Sequence, residues 1–289
     1  MSWLVVARKD FQDAVRSRVL WVVSALFILL MAGMVAVFSL TEGLLTAGGQ
    51  GGGPGAAPGA AGVNFGPFIF LASATTLFVT ITALVTCHKS IAGERDSGSM
   101  KLLLGLPHSR RDVLVGKTVG RTAVLALPVL LGFLVSYLVA VGYGVDFPLA
   151  EYVLFALLTV LFAFVYVSIV VGVSATTGSS SRATTLAIGI FFVFEIMWDV
   201  VPTGVLFLVN GFSLPVNPAN YPAWYFLVTW VAPSGAYNAA REAVLPESAA
   251  VSLPADAWFL DPAVGFLFLG FWVVASLGVG YRRFERADL

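Results

Sequence analysis

Six stretches of this chain are each long and apolar enough to cross a bilayer as a helix, and nothing else limits the fold so tightly. A hydrocarbon core of about 30 Å needs roughly 20 apolar residues in helical conformation. The stretches are 19–40, 67–87, 123–143, 152–175, 184–209 and 263–281. The chain is 58% hydrophobic and 11% charged, with mean hydropathy +0.92. Soluble chains run nearer 45–50% apolar and about 25% charged, so lipid is the solvent that suits this composition. The predicted class is an all-α membrane protein, one transmembrane domain of six helices over residues 1–289. The first run is too long, and preceded by too much polar chain, for a cleaved signal peptide. An aromatic-rich run at 223–233 is too short to span and reads as an interfacial or re-entrant helix.

The basic residues set an orientation. Of the 16 Lys and Arg, all but Arg241 fall before span one, in the loops after spans two and four, or after span six. The positive-inside rule puts that side, and both termini, in the cytoplasm of a plasma-membrane protein. An odd number of spans would break this alternation, so the charges support six independently. The single cysteine, Cys87, excludes an internal disulfide and reads as a buried, inert thiol.

The outer loop 41–66 is dominated by Gly, Ala and Pro and reads as a flexible tether. The outer segment 210–262 carries Trp224, Trp230 and Trp258 with Glu242, Glu247, Asp256 and Asp261. It is either a lid held in the headgroup layer by aromatic anchors, or a gate over the exit of a pathway. Residues 1–18 place Leu4, Ala7, Phe11 and Ala14/Val15 at helical spacing among charged residues. That pattern predicts an amphipathic helix on the cytoplasmic interface, in contact with anionic lipid or a partner.

Gly116-Lys117-Thr118 matches the end of a nucleotide-binding P-loop, but the context excludes one. Arg111 stands where the first glycine of G-x-x-x-x-G-K-[ST] is required, and no strand pattern precedes it. The triplet lies in a helical run leading into span three. The cytoplasmic segment 88–122 forms a different module. Ser97-Gly98-Ser99 should break the helix continuing from span two. A short apolar helix, Met100–Leu106, follows and is stopped by Pro107. Ser109 then caps a new helix, with Asp112 completing a capping box and Lys117 and Arg121 at the membrane surface. A short helix held crosswise between two spans can carry force from a soluble partner, or be an ordinary basic loop that only sets topology.

These residues resemble a known family. "GERDSGSMKLLLGLPHSRRDVLVGKTVGR" is similar to the signature segment of type-two ABC transporter permeases: an acid, Ser-Gly, a Leu-rich run, Pro, Ser-Arg and Gly-Lys. The matching positions are Glu94, Ser97, Gly98, Leu102, Leu103, Pro107, Ser109, Arg110, Gly116 and Lys117. Six spans, an interfacial N-terminal helix and an outer segment before span six extend the match over the whole chain. "APSGAYNAAREAV" (232–244) and the ending "RRFERADL" also resemble the family, whose nitrous-oxide reductase maturation permeases are the most similar subgroup. The long neutral loop after span one departs from the pattern.

The resemblance implies that the Leu-rich helix is a coupling helix docking into a separate ATP-hydrolysing subunit. Glu94, Ser97, Gly98, Leu102, Leu103, Leu106, Pro107 and Arg110 would then couple the two chains. ATP and magnesium would bind the partner subunit, with no catalytic, metal or cofactor residue on this chain. Two permeases, identical or paralogous, would join two ATPases.

Span five carries Glu195 and Asp199, with Trp198 beside them. At i and i+4 they are expected on one helical face, and Glu195 is near the midplane. An intramembrane carboxylate marks a functional site by default. The three residues line a translocation path, or the acids are protonated or bonded to neighbouring hydroxyls; Ser73 and the threonines of span two are candidate partners or, more simply, helix-packing contacts. The expected function is the permease subunit of an ABC transporter, most simply an exporter. The alternative is an ATP-independent secondary transporter or channel, although no internal repeat is visible. An enzyme is disfavoured: the chain has two histidines, His88 and His108, and no zinc-protease or serine-hydrolase pattern.

Overall fold

The Ser109 hydroxyl accepts from the Asp112 backbone N–H at 3.1 Å, and the Asp112 carboxylate accepts from the Ser109 N–H at 3.2 Å. This reciprocal cap starts α6 (Arg110–Gly142), a 33-residue helix that runs unbroken into span three. The structure, a computed structural model, describes residues 3–47, 67–104, 109–144, 148–215, 220–245 and 258–287. Among them every regular element is helical. The tether at 48–66, Leu106, Pro107, His108, Glu247 and Asp256 lie outside the described residues, as do the side chains of Leu102, Leu103 and Trp258.

Six described segments meet the length and hydropathy of a membrane span: Arg18–Leu40, Ala74–Asp96, Arg110–Gly142, Leu149–Ala175, Ser180–Val209 and Val264–Glu285. They are the six spans expected from the sequence. α1 (Trp3–Val15) precedes α2 (Arg18–Ala47), and α3 (Pro67–Cys87) forms span two. α7 (Leu149–Ala175) is the centre of the bundle, with 67% of its span buried, against 11% for span five. Around it pack α3, α6 and α12 (Val264–Glu285).

α1 lies on α6 rather than on lipid alone. Its buried residues are Val6, Ala7 and Asp10, whereas Leu4 is 59% exposed. Phe11, Ala14 and Val15 pack on the core as expected, so of the predicted stripe only Leu4 is exposed, while Val6 and Asp10 join the buried face. A Cβ on Gly116 would sit 2.6 Å from the Trp3 carbonyl oxygen, so only glycine lets the two backbones approach this closely. The Trp21 indole N–H donates to the Val15 carbonyl at 3.0 Å and closes the elbow into α2.

Span two does not run straight into the coupling segment. It ends at Cys87, and α4 (Ala92–Asp96) begins after a turn. The cause lies on α7: the Ser174 hydroxyl accepts from the Ile91 and Ala92 N–H groups, at 3.1 and 3.0 Å. Both residues are fully buried. Ser174→Ala would leave two buried donors unpaired, at about 1–3 kcal/mol each. A clear fall in the thermal unfolding temperature of the purified chain is the expected outcome.

Candidate functional site

Two clusters of polar groups stand at depth in the bundle, one at its basic end and one near mid-span. The first is built on α6. The Lys117 ammonium is 2.6 Å from the Glu94 carboxylate and 3.7 Å from Asp10, and its side chain is only 4% exposed. One turn further on, Arg121 donates from Nη2 to Asp10 Oδ1 at 3.1 Å and from Nη1 to the Thr86 carbonyl at 3.1 Å. Its Nε also makes a close ionic contact, 2.7 Å, with Asp10 Oδ2. Two cations and two carboxylates therefore balance at the joint between α1, α4 and α6. Charges with so little solvent persist only when paired. Lys117 and Arg121 were expected at the membrane surface; Lys117 is instead buried, because acids from two other elements converge on it.

α4 is tied to further elements. The Asp96 carboxylate accepts from the Ser180 N–H at 3.2 Å, at the start of α8 (Ser180–Phe191). The helix breaks at Ser97-Gly98, as the sequence predicts, and α5 (Ser99–Leu104) follows. The Ser97 and Ser99 hydroxyls both bond the Glu94 carbonyl at 3.3 Å. Met100 is fully buried and fastens α5 to the core. Arg110 faces a different way. Its guanidinium donates to the carbonyls of Phe284, Glu285 (3.0 Å) and Ala287 (2.8 Å), and lies 5.5 Å from the Phe284 ring centroid. It thereby caps the C-terminus of α12, whose last carbonyls lack helical donors.

The second cluster surrounds the tip of a re-entrant hairpin. α10 (Ala223–Val231) enters, Ala232 turns, and α11 (Pro233–Val244) returns. A Cβ on Gly235 would lie 2.0 Å from the Thr229 carbonyl oxygen, so the reversal requires glycine there. Tyr237 is fully buried, stacks on Phe162 with centroids 4.4 Å apart, and bonds Thr159 at 2.9 Å. Thr159 lies ten residues along α7 from Leu149, about 15 Å below its start. The hairpin therefore inserts into the bundle instead of lying on the headgroups. Backbone that is not helical at this depth must be satisfied by protein. The Trp198 indole donates to the Val228 carbonyl and the Trp272 indole to the Val231 carbonyl, both at 2.8 Å.

Glu195 completes this tip. Its carboxylate accepts from the Tyr166 hydroxyl of α7 and from the Ser234 hydroxyl in the first turn of α11. A carboxylate at a helix N-terminus is favoured by the helix dipole. Four of the span-two threonines donate elsewhere: Thr75, Thr76 and Thr86 bond the carbonyls four residues before them on α3, and Thr80 the carbonyl three before. Asp199 is near enough to Glu195 to interact with it electrostatically. Span five changes to a π-helical turn over Phe192–Met197 before α9 (Val200–Val209). Pro202 lacks the N–H that would bond the Trp198 carbonyl, and the wider π-helical turn lies just ahead of it. Glu195 is half-buried while Asp199 is exposed.

Sequence reasoning missed Asp10, Tyr166, Ser174 and Ser234. Asp10 left a signal, being an acid three residues after Ala7 on the face α1 buries; the others are ordinary hydroxyls in apolar runs.

A family model described as ABC-2 family transporter protein matches residues 4–289. The chain is 29% identical over 289 residues to the "Probable ABC transporter permease protein NosY" of Stutzerimonas stutzeri, covering 97% of each chain. It is 28% identical over 296 residues to the protein of the same name from Pseudomonas aeruginosa, covering 98% of each. With the six spans and the braced segment after span two, these matches lead to one conclusion: the chain belongs to the ABC-2 transporter family and is a multi-pass permease subunit of an ABC transporter.

Proposed function

We propose that this permease forms an export pathway driven by a separate subunit, which binds ATP and magnesium and docks at the basic end. That end faces the cytoplasm, with both termini, and this chain performs no catalysis. The observation carrying the reading is the ion cluster that joins the Glu94 segment to α1 and α6. Force applied to α5 reaches α6 through Glu94–Lys117, α7 through Ser174, and α8 through Asp96. Three spans thus receive one input, which a loop that merely set topology would not need.

A second permease copy completes the pathway. Span five is the least buried span at 11%, and it exposes Asp199 between apolar neighbours such as Val200 and Met197. A carboxylate facing hydrocarbon alone is costly; one facing a polar path between two copies is not. Glu195 and Trp198 stand behind it, holding the re-entrant tip.

The test is co-purification of the chain with an ATP-hydrolysing subunit and ATP-driven transport by the pair. In that system Leu103→Asp and Glu94→Lys are expected to reduce transport about tenfold or more per ATP hydrolysed. Unchanged coupling in both variants would remove the assignment. Transport by the chain alone, without nucleotide, would overturn the larger proposal.

A further inference from the structure

A cavity of about 220 Å³ lies under the elbow between α1 and α2, walled by α3 and α6. Its lining has two chemistries. Ser17, Thr86 and Arg121 stand at the level of the elbow, and Val23, Val124 and Pro128 lie deeper. Val19 and Val85 flank it and are 51% and 52% exposed, so it opens sideways to the bilayer.

Two polar groups in the lining call for a ligand that is not pure hydrocarbon. Asp10 and the Thr86 carbonyl hold Arg121 through three contacts. A guanidinium has five N–H groups, and the other two have no acceptor among the described residues. Pro128 supplies no N–H, so the Val124 carbonyl lacks its usual helical donor. At the mouth, exposed Arg16 and Arg18 flank Ser17 and add two positive charges. Basic residues at a bilayer surface attract anionic headgroups.

We propose that this cavity holds one anionic phospholipid from the leaflet at the basic end. Its phosphate accepts from Arg121 and Ser17, and one acyl chain fills the space along Val23, Val124 and Pro128. The lipid supports the elbow from below where Trp21 and Val15 close it from above. The site stands on the chain's place in a membrane and does not depend on the direction of transport.

Native mass spectrometry of the full chain in mild detergent tests this, with phosphatidylglycerol or phosphatidylcholine of identical chains added. Wild-type protein is expected to retain one phosphatidylglycerol per chain, and to hold phosphatidylcholine about tenfold more weakly. Val23→Trp and Val85→Trp, which fill the cavity, are expected to reduce phosphatidylglycerol retention about tenfold, and Arg16→Gln with Arg18→Gln to erase the preference between the two lipids. Equal retention of both lipids by the wild type would overturn the proposal and needs no variant. So would undiminished retention in both filled variants, displacement of the lipid by inorganic phosphate alone, or occupation of the cavity by a second copy, seen as a dimer that the tryptophan variants abolish.

Discussion

Lys117→Met is expected to destabilise the permease by about 1–3 kcal/mol, less than a fully buried pair would cost, and to abolish ATP-driven transport. The ammonium is 4% exposed and stands between Glu94 and Asp10. Removing it leaves Glu94, whose side chain is 34% exposed, without its cation, and leaves Asp10 with Arg121 alone. Adding Glu94→Gln to Lys117→Met restores the balance, because Asp10 keeps Arg121. The double variant should therefore regain most of the lost thermal stability, read as the monodisperse fraction surviving heating. It should not regain transport, because the link from α4 to α6 is still missing. Lys117→Arg should also fail, since a planar fork needs room that a site closed by Glu94 and Asp10 does not offer. A single Lys117→Met variant as stable and active as wild type would refute the role given to the cluster.

Glu195 variants are expected to separate bracing from transport. Glu195→Leu removes the acceptor of the Tyr166 and Ser234 hydroxyls. Each lost hydrogen bond costs roughly 0.5–1.5 kcal/mol, so abundance and transport should fall together. Glu195→Gln keeps a carbonyl oxygen for those hydroxyls and removes only the charge. Its abundance should stay near wild type, while transport per folded protein falls about tenfold or more if the carboxylate contributes to the path. Asp199→Asn should behave the same way, with even less effect on abundance, because Asp199 is exposed. Wild-type transport per folded protein in both conservative variants would leave Glu195 as a brace alone.

These predictions rest on features that the sequence made visible to different degrees. The six spans were legible because each is a continuous apolar run, a signal carried by neighbouring residues. The cap at Ser109 and the break at Ser97-Gly98 were legible for the same reason: their partners lie within five residues. The burial of Lys117 was not legible, because Asp10 precedes it by more than a hundred residues and only the docking of α1 brings them together. The i, i+4 spacing of Glu195 and Asp199 was legible in span five, but the π-helical turn over Phe192–Met197 ahead of Pro202 was not. The re-entrant tip was half legible. The length of 223–233 excluded a span, but nothing in it named Trp198, Trp272 and Glu195 as its support.

The length of α6 has a mechanical consequence. Its 33 residues extend about 50 Å at 1.5 Å per residue, against a hydrocarbon core of about 30 Å. The surplus projects from the basic end and carries the α1 contact at Gly116 and the ion cluster at Lys117 and Arg121. Within the part that spans the bilayer, Pro128 removes one rung of the backbone ladder, so the helix could bend there as a lever arm does. A small tilt about that point would swing the protruding end by the largest distance and carry α1 with it. The Gly116 contact and the Asp10–Arg121 pair are what would hold α1 to that end during such a tilt.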